Sequence, residues 1–554
     1  MFRRSSLALG AVALFLAVGC GGSDSISVDR VAIGVQGRYE KRALGTGGYG
    51  SVTEAPTRYA YAQLRSASGV EDETDLDVNG QGTLYAPRGT SVYVTLVADV
   101  AVPASGGGLL MQGSVKKARL ATSYASASAF EQVETWKTTS DTVVADAPRN
   151  LRLTALESSS EAGAFAIADR MVDFALGMQS LEAGLPLANL HAFWATASGT
   201  STGISNPAPV LDSSNRLLVH SWSKRPMLAH EVRFAGPNDA MRSGDAYNDS
   251  LLLETFARSI FAEGSYTSKD GAYGNLVRAD NDNAYQDPHQ ETEPSLAFMS
   301  GYASFLSAAF RNDPAMVEVA SNGSTTNSWS LATALAPTTG GEFYPAAVAK
   351  SMWSLWKNAS ILGGGTAGLQ TTWQATLAQQ TGNNEYLSAP LGCFPTYLRG
   401  LRRLVASVPD ATFRAPLQAQ NVGNGLDPLS TGYLSSGALW QVVSLPFSGT
   451  GTLRTYADGI YYDRNQARCY RFTYGGSGTL AVTMTPTGGQ DFFLELIGPT
   501  GIVAADTTQP QGGAPTRSIT RSGLPAGDYI VRVRAGYTTS DNTAASYSLG
   551  ITLQ

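Results

Sequence analysis

Residues 29–150 alternate apolar and polar positions with a period of two. In Tyr59-Ala60-Tyr61-Ala62-Gln63-Leu64-Arg65 and in Val92-Tyr93-Val94-Thr95-Leu96-Val97, successive side chains point to opposite faces of an extended chain. Turn-rich stretches at 45–50 and 77–82 separate such runs, which predicts a small antiparallel β-sandwich. From Glu161 the period lengthens. Ala162, Phe165, Ala166, Met171, Val172 and Ala175 recur at helical spacing, and further helical runs cover 251–263, 295–310, 346–357 and 397–408. Period two returns within 451–554. There Leu480, Val482 and Met484 share one face, as do Phe492, Leu494 and Leu496, and Tyr529, Val531 and Val533. The expected fold is multidomain: an N-terminal β-sandwich (29–150), a mainly helical middle domain (151–450) and a C-terminal β-sandwich (451–554).

Composition narrows the function. The 554 residues are 43% hydrophobic, enough for a sizeable core, and 15% charged. Lys plus Arg number 39 against 45 Asp plus Glu, so the net charge of −6 offers no basic excess for a nucleic-acid backbone. Four His and three Cys leave little material for a His-rich or Cys-rich metal centre.

The N-terminus has the three parts of an export signal: Arg3 and Arg4, the apolar run Leu7 to Val18, then Gly19-Cys20. The run is too short to span a bilayer as a mature helix. Ala17-Val18-Gly19-Cys20 resembles the bacterial lipoprotein box. The resemblance implies cleavage after residue 19, a diacylglyceryl thioether on Cys20, palmitate-type acylation of the new N-terminus, and a tether over 20–28. Loss of Arg3 and Arg4 would take the charge from −6 to −8. No acidic residue follows Cys20 directly, which in that family implies the outer membrane of the cell envelope; plain secretion is the alternative. With Cys20 lipidated, Cys393 and Cys469 are the remaining pair, either bonded in an oxidising compartment or both buried thiols.

Two further resemblances concern the β segments. Gly37-Arg38-Tyr39-Glu40-Lys41-Arg42 with Asp77-Val78-Asn79-Gly80 is similar to the transthyretin-like or carboxypeptidase-regulatory-like modules that precede some secreted peptidases. Four ordered blocks resemble the bacterial pre-peptidase C-terminal domain, a small β-sandwich. They are Asp463 with Arg468-Cys469-Tyr470-Arg471-Phe472, the segment 491–496, the segment 524–533, and Tyr547-Ser548-Leu549.

In the middle segment, zinc peptidases of the thermolysin type need two His at i and i+4 on a helix, a Glu beside the first, and a third ligand from a later helix. No His-x-x-x-His occurs among His191, His220, His230 and His289. Ala229-His230-Glu231-Val232-Arg233-Phe234 has only the opening dipeptide. Asp245-Ala246-Tyr247-Asn248-Asp249, followed by Leu251-Leu252-Leu253-Glu254-Thr255-Phe256-Ala257-Arg258, resembles the ligand helix of secreted zinc peptidases. Leu296 to Ala303 resembles their third-ligand helix, and Met352-Trp353-Ser354-Leu355-Trp356 their packing helix. The resemblance implies a zincin-like (α+β) middle domain in which Glu254 and Arg258 stand for the histidines, Thr255 for the general base and Ser300 for the third ligand. An acid four residues before a base favours a helix ion pair. In a partly buried cleft, loss of either member would strand a charge at a cost of about 3–5 kcal/mol. An exposed pair without function is the other reading of the same spacing.

Asp280, Asp282 and Asp287, with Asn281 and Asn283, form an oxygen-rich loop that could take Ca2+, although the EF-hand glycine and terminal Glu are missing. Gly363-Gly364-Gly365 lacks the ending of a phosphate loop, and no Gly-x-Ser-x-Gly stands between a strand and a helix. The expectation is a lipid-anchored envelope protein with a catalytically inactive peptidase-like core that binds or scaffolds, with no cofactor apart from the Ca2+ option. Its partners would be the bilayer, through Cys20, and a peptide, protein or cell-wall ligand. The alternative is an active secreted hydrolase with a non-standard site.

Overall fold

Strand β1 (Arg30–Gly45) runs 16 residues and organises the N-terminal part. Its alternation buries Val31, Ile33, Val35 and Tyr39 on one side. The computed structural model describes residues 29–45, 47–117, 134–158, 161–183, 185, 187, 189–194, 229–234, 245–259, 289, 291, 294–319, 325–335, 340–378, 393–423, 425–430, 433, 439–454, 467–487, 492–498, 501–506, 515–535 and 544–554. The strands that follow are β2 (Gly48–Pro56), β3 (Ala60–Ser66), β4 (Gly69–Asp75), β5 (Gln81–Pro87), β6 (Ser91–Pro103), β7 (Leu109–Lys117), β8 (Lys137–Thr139), β9 (Val143–Val144) and β10 (Arg149–Ala155). β1 pairs antiparallel with β2 and β5 and parallel with β10. The turn before β5 needs a glycine. Gly80 has φ +71°, and a Cβ there would lie 2.5 Å from the Gly37 carbonyl oxygen.

The second sheet does not stop at residue 150. Its order is β12-β11-β7-β6-β3-β4, where β11 (Asn189–Trp194) lies parallel to β7, and β12 (Ala229–Phe234) parallel to β11. The segment carrying His230-Glu231 is therefore a strand. In a strand, positions i and i+4 lie two full repeats apart, and the one-turn spacing of a zinc helix does not arise.

Helix α1 (Glu161–Leu181) is buried from Ala162 to Asp169 without a break, as a helix enclosed on several sides must be. It packs on β6 and β7 and also against α2 (Asp249–Ser259), α3 (Pro294–Arg311) and α5 (Thr366–Ala378). The remaining helices are α4 (Pro345–Lys357), α6 (Phe394–Leu404) and α7 (Asp410–Gln418), with a hairpin of β13 (Ala315–Val319) and β14 (Thr325–Ser330) after α3. One continuous apolar core runs from Val31 to Val422 through both sheets and these helices.

The last segment holds β15 (Gln441–Val442), β16 (Phe447–Arg454), β17 (Ala467–Tyr474), β18 (Thr479–Thr487), β19 (Phe492–Gly498), β20 (Gly501–Asp506), β21 (Arg517–Ser522), β22 (Gly527–Ala535) and β23 (Ala544–Leu553). Two sheets, β15-β17-β22-β19-β20 and β16-β23-β18-β21, enclose a second core. The Tyr470 and Tyr547 hydroxyls meet across it at 2.7 Å. The architecture is thus N- and C-terminal mixed β-sheets flanking a helix-rich middle region.

The outer face of the five-stranded sheet is also buried along its central strands β19 and β22. Ile497 and Ile530 form a small apolar cluster with Cys393 and Trp440. Beside them the Arg532 guanidinium meets Glu495 at 2.6 Å, with the two side chains 1% and 0% exposed.

Helices α3 and α4 touch through Gly301, where a Cβ would sit 2.5 Å from both the Pro345 carbonyl oxygen and Val348 Cβ. Helix propensity alone would make Gly301→Ala stabilising by up to about 1 kcal/mol. Because the blocking atom belongs to the backbone, the substitution is instead expected to cost about 1–3 kcal/mol. Thermal unfolding checks the sign, with Gly550→Ala, whose methyl meets nothing within 4 Å, as the neutral control.

Candidate functional site

Asn248 starts α2. Its side-chain oxygen accepts the Leu251 N–H at 3.2 Å, and its amide donates to the Val317 carbonyl at 2.7 Å, so the helix start is pinned to β13. Asp249 follows in the first turn, where the helix dipole favours an acid. Ser250 donates to Asn248 Oδ1 at 2.8 Å, and Ser307 of α3 donates to the Ser250 carbonyl at 2.8 Å. Small hydroxyls thus join α2 to α3.

The positions singled out by the peptidase resemblance fall on these two helices. Thr255 is half-buried, and its hydroxyl donates at 2.8 Å to the Leu251 carbonyl one turn back. Ser300 is 1% exposed, adjacent to the tight Gly301 contact, and its carbonyl accepts the Ser304 hydroxyl at 3.0 Å. Glu254 is half-buried. Burial lowers the Arg311 guanidinium from its ordinary value, against the pull of Asp313, Asp249 and Glu254, which puts Glu254 within electrostatic reach of α3. The side chain of Arg258 lies outside the described residues, as do Cys20 and the loop of Asp280, Asp282 and Asp287. Among the described residues, no group of three or more His, Cys, Asp and Glu is arranged to hold a metal ion.

The strongest electrostatic feature lies beside α2 and was not singled out by periodicity. Asp169, 5% exposed on α1, accepts the Tyr39 hydroxyl at 2.7 Å, Arg58 Nε at 2.5 Å and Arg170 Nη2 at 2.6 Å. Asp173 binds Arg58 and Arg170, each at 2.6 Å. Asp249 approaches Arg170 at 3.4 Å and Lys41 at 3.8 Å. Three acids and three bases balance. The signal in the sequence was Asp169-Arg170-x-x-Asp173, charges set inside an otherwise apolar helical run. Burial raises the Asp169 carboxyl, but Arg170, Arg58 and the hydrogen bonds outweigh it and hold the group below its ordinary value. Burial, with Asp169 beside it, pushes the Tyr39 phenol well above its own.

Cys393 and Cys469 remain thiols, so the disulfide alternative is not formed. Cys393 caps α6, with its N–H donating to Thr396 Oγ1 at 3.0 Å. Burial pushes its thiol up to about 11, against hydrogen bonds from Thr396. Cys469 is half-buried and packs against the same small cluster. His289 lies edge-on to Trp329 at 5.5 Å, which places it in ring packing.

No family model and no curated protein matches the chain. A distant, partial structural match is found to the pre-peptidase C-terminal domain of a collagenase from Bacillus anthracis. It covers 20% of this chain and 93% of that domain at 13% identity, with a TM-score of 0.16. Periplasmic inhibitors of g-type lysozyme from Aeromonas hydrophila and Salmonella Typhimurium match over 21% of this chain and 96% and 99% of their own lengths. Their identities are 13% and 18%, each with a TM-score of 0.13.

Arg170→Met leaves Asp169, Asp173 and Asp249 short of a cation and is expected to cost about 3–5 kcal/mol in urea unfolding. The Asp169 contribution is full above its unfolded pKa of about 3.9 and is lost as pH falls through the depressed folded value. In Asp169→Asn, the unfolding free energy should therefore fall less steeply below pH ~4 than in the parent. In a thiol-reagent assay at pH ~8, Cys469 should react ahead of Cys393, which reacts only as the protein unfolds.

Proposed function

We propose that the chain is a lipid-anchored cell-envelope protein whose peptidase-like helical core does no hydrolysis and acts as a binding or scaffolding body. In this reading residues 1–19 are removed, Cys20 carries the lipid, and 451–554 is a pre-peptidase C-terminal-like module. One observation carries the reading of the core. Two of the four chemical positions, Thr255 and Ser300, and the neighbouring Asp249 already serve the fold. The Thr255 hydroxyl is bonded to a helix carbonyl, Ser300 is buried beside the α3–α4 contact, and Asp249 faces Arg170 and Lys41.

Zinc, which the peptidase resemblance implies, does not fit these residues. A site needs three or four neutral or anionic N, S or O donors. The four positions offer one carboxylate, two hydroxyls and a guanidinium, and a guanidinium cannot ligate a cation. Thr255 has no proton-accepting capacity near neutrality with which to activate water.

Anchoring by lipid is compatible with the described residues, among which no helix is long and apolar enough to cross a membrane. The bilayer is then reached through the acyl chains on Cys20, and the protein ligand or cell-wall partner is engaged by the body.

Two measurements test the two halves of the proposal. Intact-mass analysis of membrane-extracted protein should find cleavage before residue 20 and a triacylated Cys20, and Cys20→Ala should move the protein to the soluble fraction. Metal analysis of purified protein should find substoichiometric zinc and no chelator-sensitive peptidase activity. One tightly held zinc per chain with turnover abolished by chelation would replace this reading by that of an active hydrolase.

A further inference from the structure

One side of the eight-stranded sheet faces α1. Val100 of β6, Val115 of β7, and Leu190 and Ala192 of β11 are buried there, and a Cβ at Gly113 would lie 2.5 Å from Met171 Sδ. Alternation places the residues between them on the opposite face. The register then sets four of those in one row. Asp99 of β6 pairs with Ser114 of β7, Ser114 with His191 of β11, and His191 with Glu231 of β12. A carboxylate, a hydroxyl, an imidazole and a second carboxylate thus stand on four neighbouring strands, drawn from segments that no sequence window joins.

A solvated polar face would carry such a row without further meaning. Ser114, however, is only 4% exposed, while Asp99 beside it and Lys116 two residues on are half-buried. The hydroxyl therefore lies under cover with a partly open margin. Adjacent strands run about 4.8 Å apart, a span that one hydrogen bond can close between a hydroxyl and an imidazole, or between an imidazole and a carboxylate. The order along the row is the one acyl transfer needs: a nucleophile, a base, and an acid that orients the base. Lys116 and Arg233 occupy the next row of the same face, in register with Phe193 from either side, and are cations of the sign that a developing oxyanion requires.

We propose that Ser114, His191 and Glu231 form a serine-hydrolase site for carboxylic esters. The Ser114 oxygen adds to the ester carbonyl carbon as its proton passes to His191. The bond from that carbon to the alcohol oxygen then breaks, and the alcohol leaves with the proton. Water attacks the acyl group on Ser114 in the same way, which releases the carboxylic acid and restores the hydroxyl. Glu231 is a positioning residue that orients His191. Asp99, on the far side of Ser114, is out of register with His191 and takes no part. The row uses neither α2 nor α3 and needs no metal, so it does not depend on how the helical core or Cys20 is read.

Two assays on the full chain test this. A fluorophosphonate should label one serine per chain, mapped to Ser114 by peptide mass spectrometry, and p-nitrophenyl acetate should be hydrolysed at a rate that a chelator leaves unchanged. Ser114→Ala should abolish both. His191→Gln should lower kcat about 100-fold or more, and Glu231→Gln should do so with KM unchanged, while Asp99→Asn should keep kcat within about twofold. Circular dichroism verifies that the variants fold, and the labelling result needs no variant. Failure of either the label or the turnover overturns the proposal, as does ester hydrolysis that survives in Ser114→Ala. Equal loss of kcat in Asp99→Asn and Glu231→Gln also overturns it, making the row a structural network. Turnover abolished by chelation with Ser114 unlabelled overturns it too, and that result alone counts against the inactive reading of the helical core.

Discussion

Asp169 is held by three segments of chain at once: Tyr39 from β1, Arg58 from the turn after β2, and Arg170 from its own helix. A carboxylate buried to this degree is stable only while all its lone pairs are occupied and its charge is matched. Replacing the whole network by apolar side chains of similar volume need not destabilise the fold, and the value of the ions lies in geometry. They admit one register of α1 on the N-terminal strands. Through Asp249 with Arg170 and Lys41, they admit one position for the start of α2.

The chemistry of the helical region follows from that constraint. Once Asp249 is committed to the network and Asn248 to β13, α2 enters at a fixed angle. Its contact with α3 then includes small hydroxyls, which allow close approach and satisfy backbone groups across the contact. Ser250 and Ser307 interlock there, and Gly301 admits α4 on the far side. Polar atoms placed in such a contact must be hydrogen-bonded within it. Ser250, Ser307 and Gly301 are thus part of the packing between these helices.

Much of this was legible in the sequence and some was not, for physical reasons. Period-two runs such as Leu480, Val482 and Met484 place their residues in a sheet core with no help from distant chain, and all three are buried. The helical runs from Glu161, Ser295 and Ala346 were likewise local signals. Helix α5 was missed because Thr366–Ala378 mixes Thr, Gln and Gly with few large apolar residues. What holds it is tertiary, including Trp373 Nε1 donating to Glu182 at 2.9 Å. The strand at Ala229–Phe234 was masked by its His-Glu dipeptide, and it owes its form to pairing with β11. The Asp169 network joins residues 130 positions apart, which no short window reports.

In the terminal sandwich the two outer faces have opposite fates, and together they fix how it is presented. The five-stranded sheet buries Ile497, Ile530 and the Glu495–Arg532 pair against Cys393 and Trp440, so that face looks toward the start of α6. The Glu495 and Arg532 side chains are 0% and 1% exposed, so the face is closed over them. The two sheets pack face to face, about 10 Å apart, and their outer faces point in opposite directions. Burial of one against the helical region therefore turns the other away from the body.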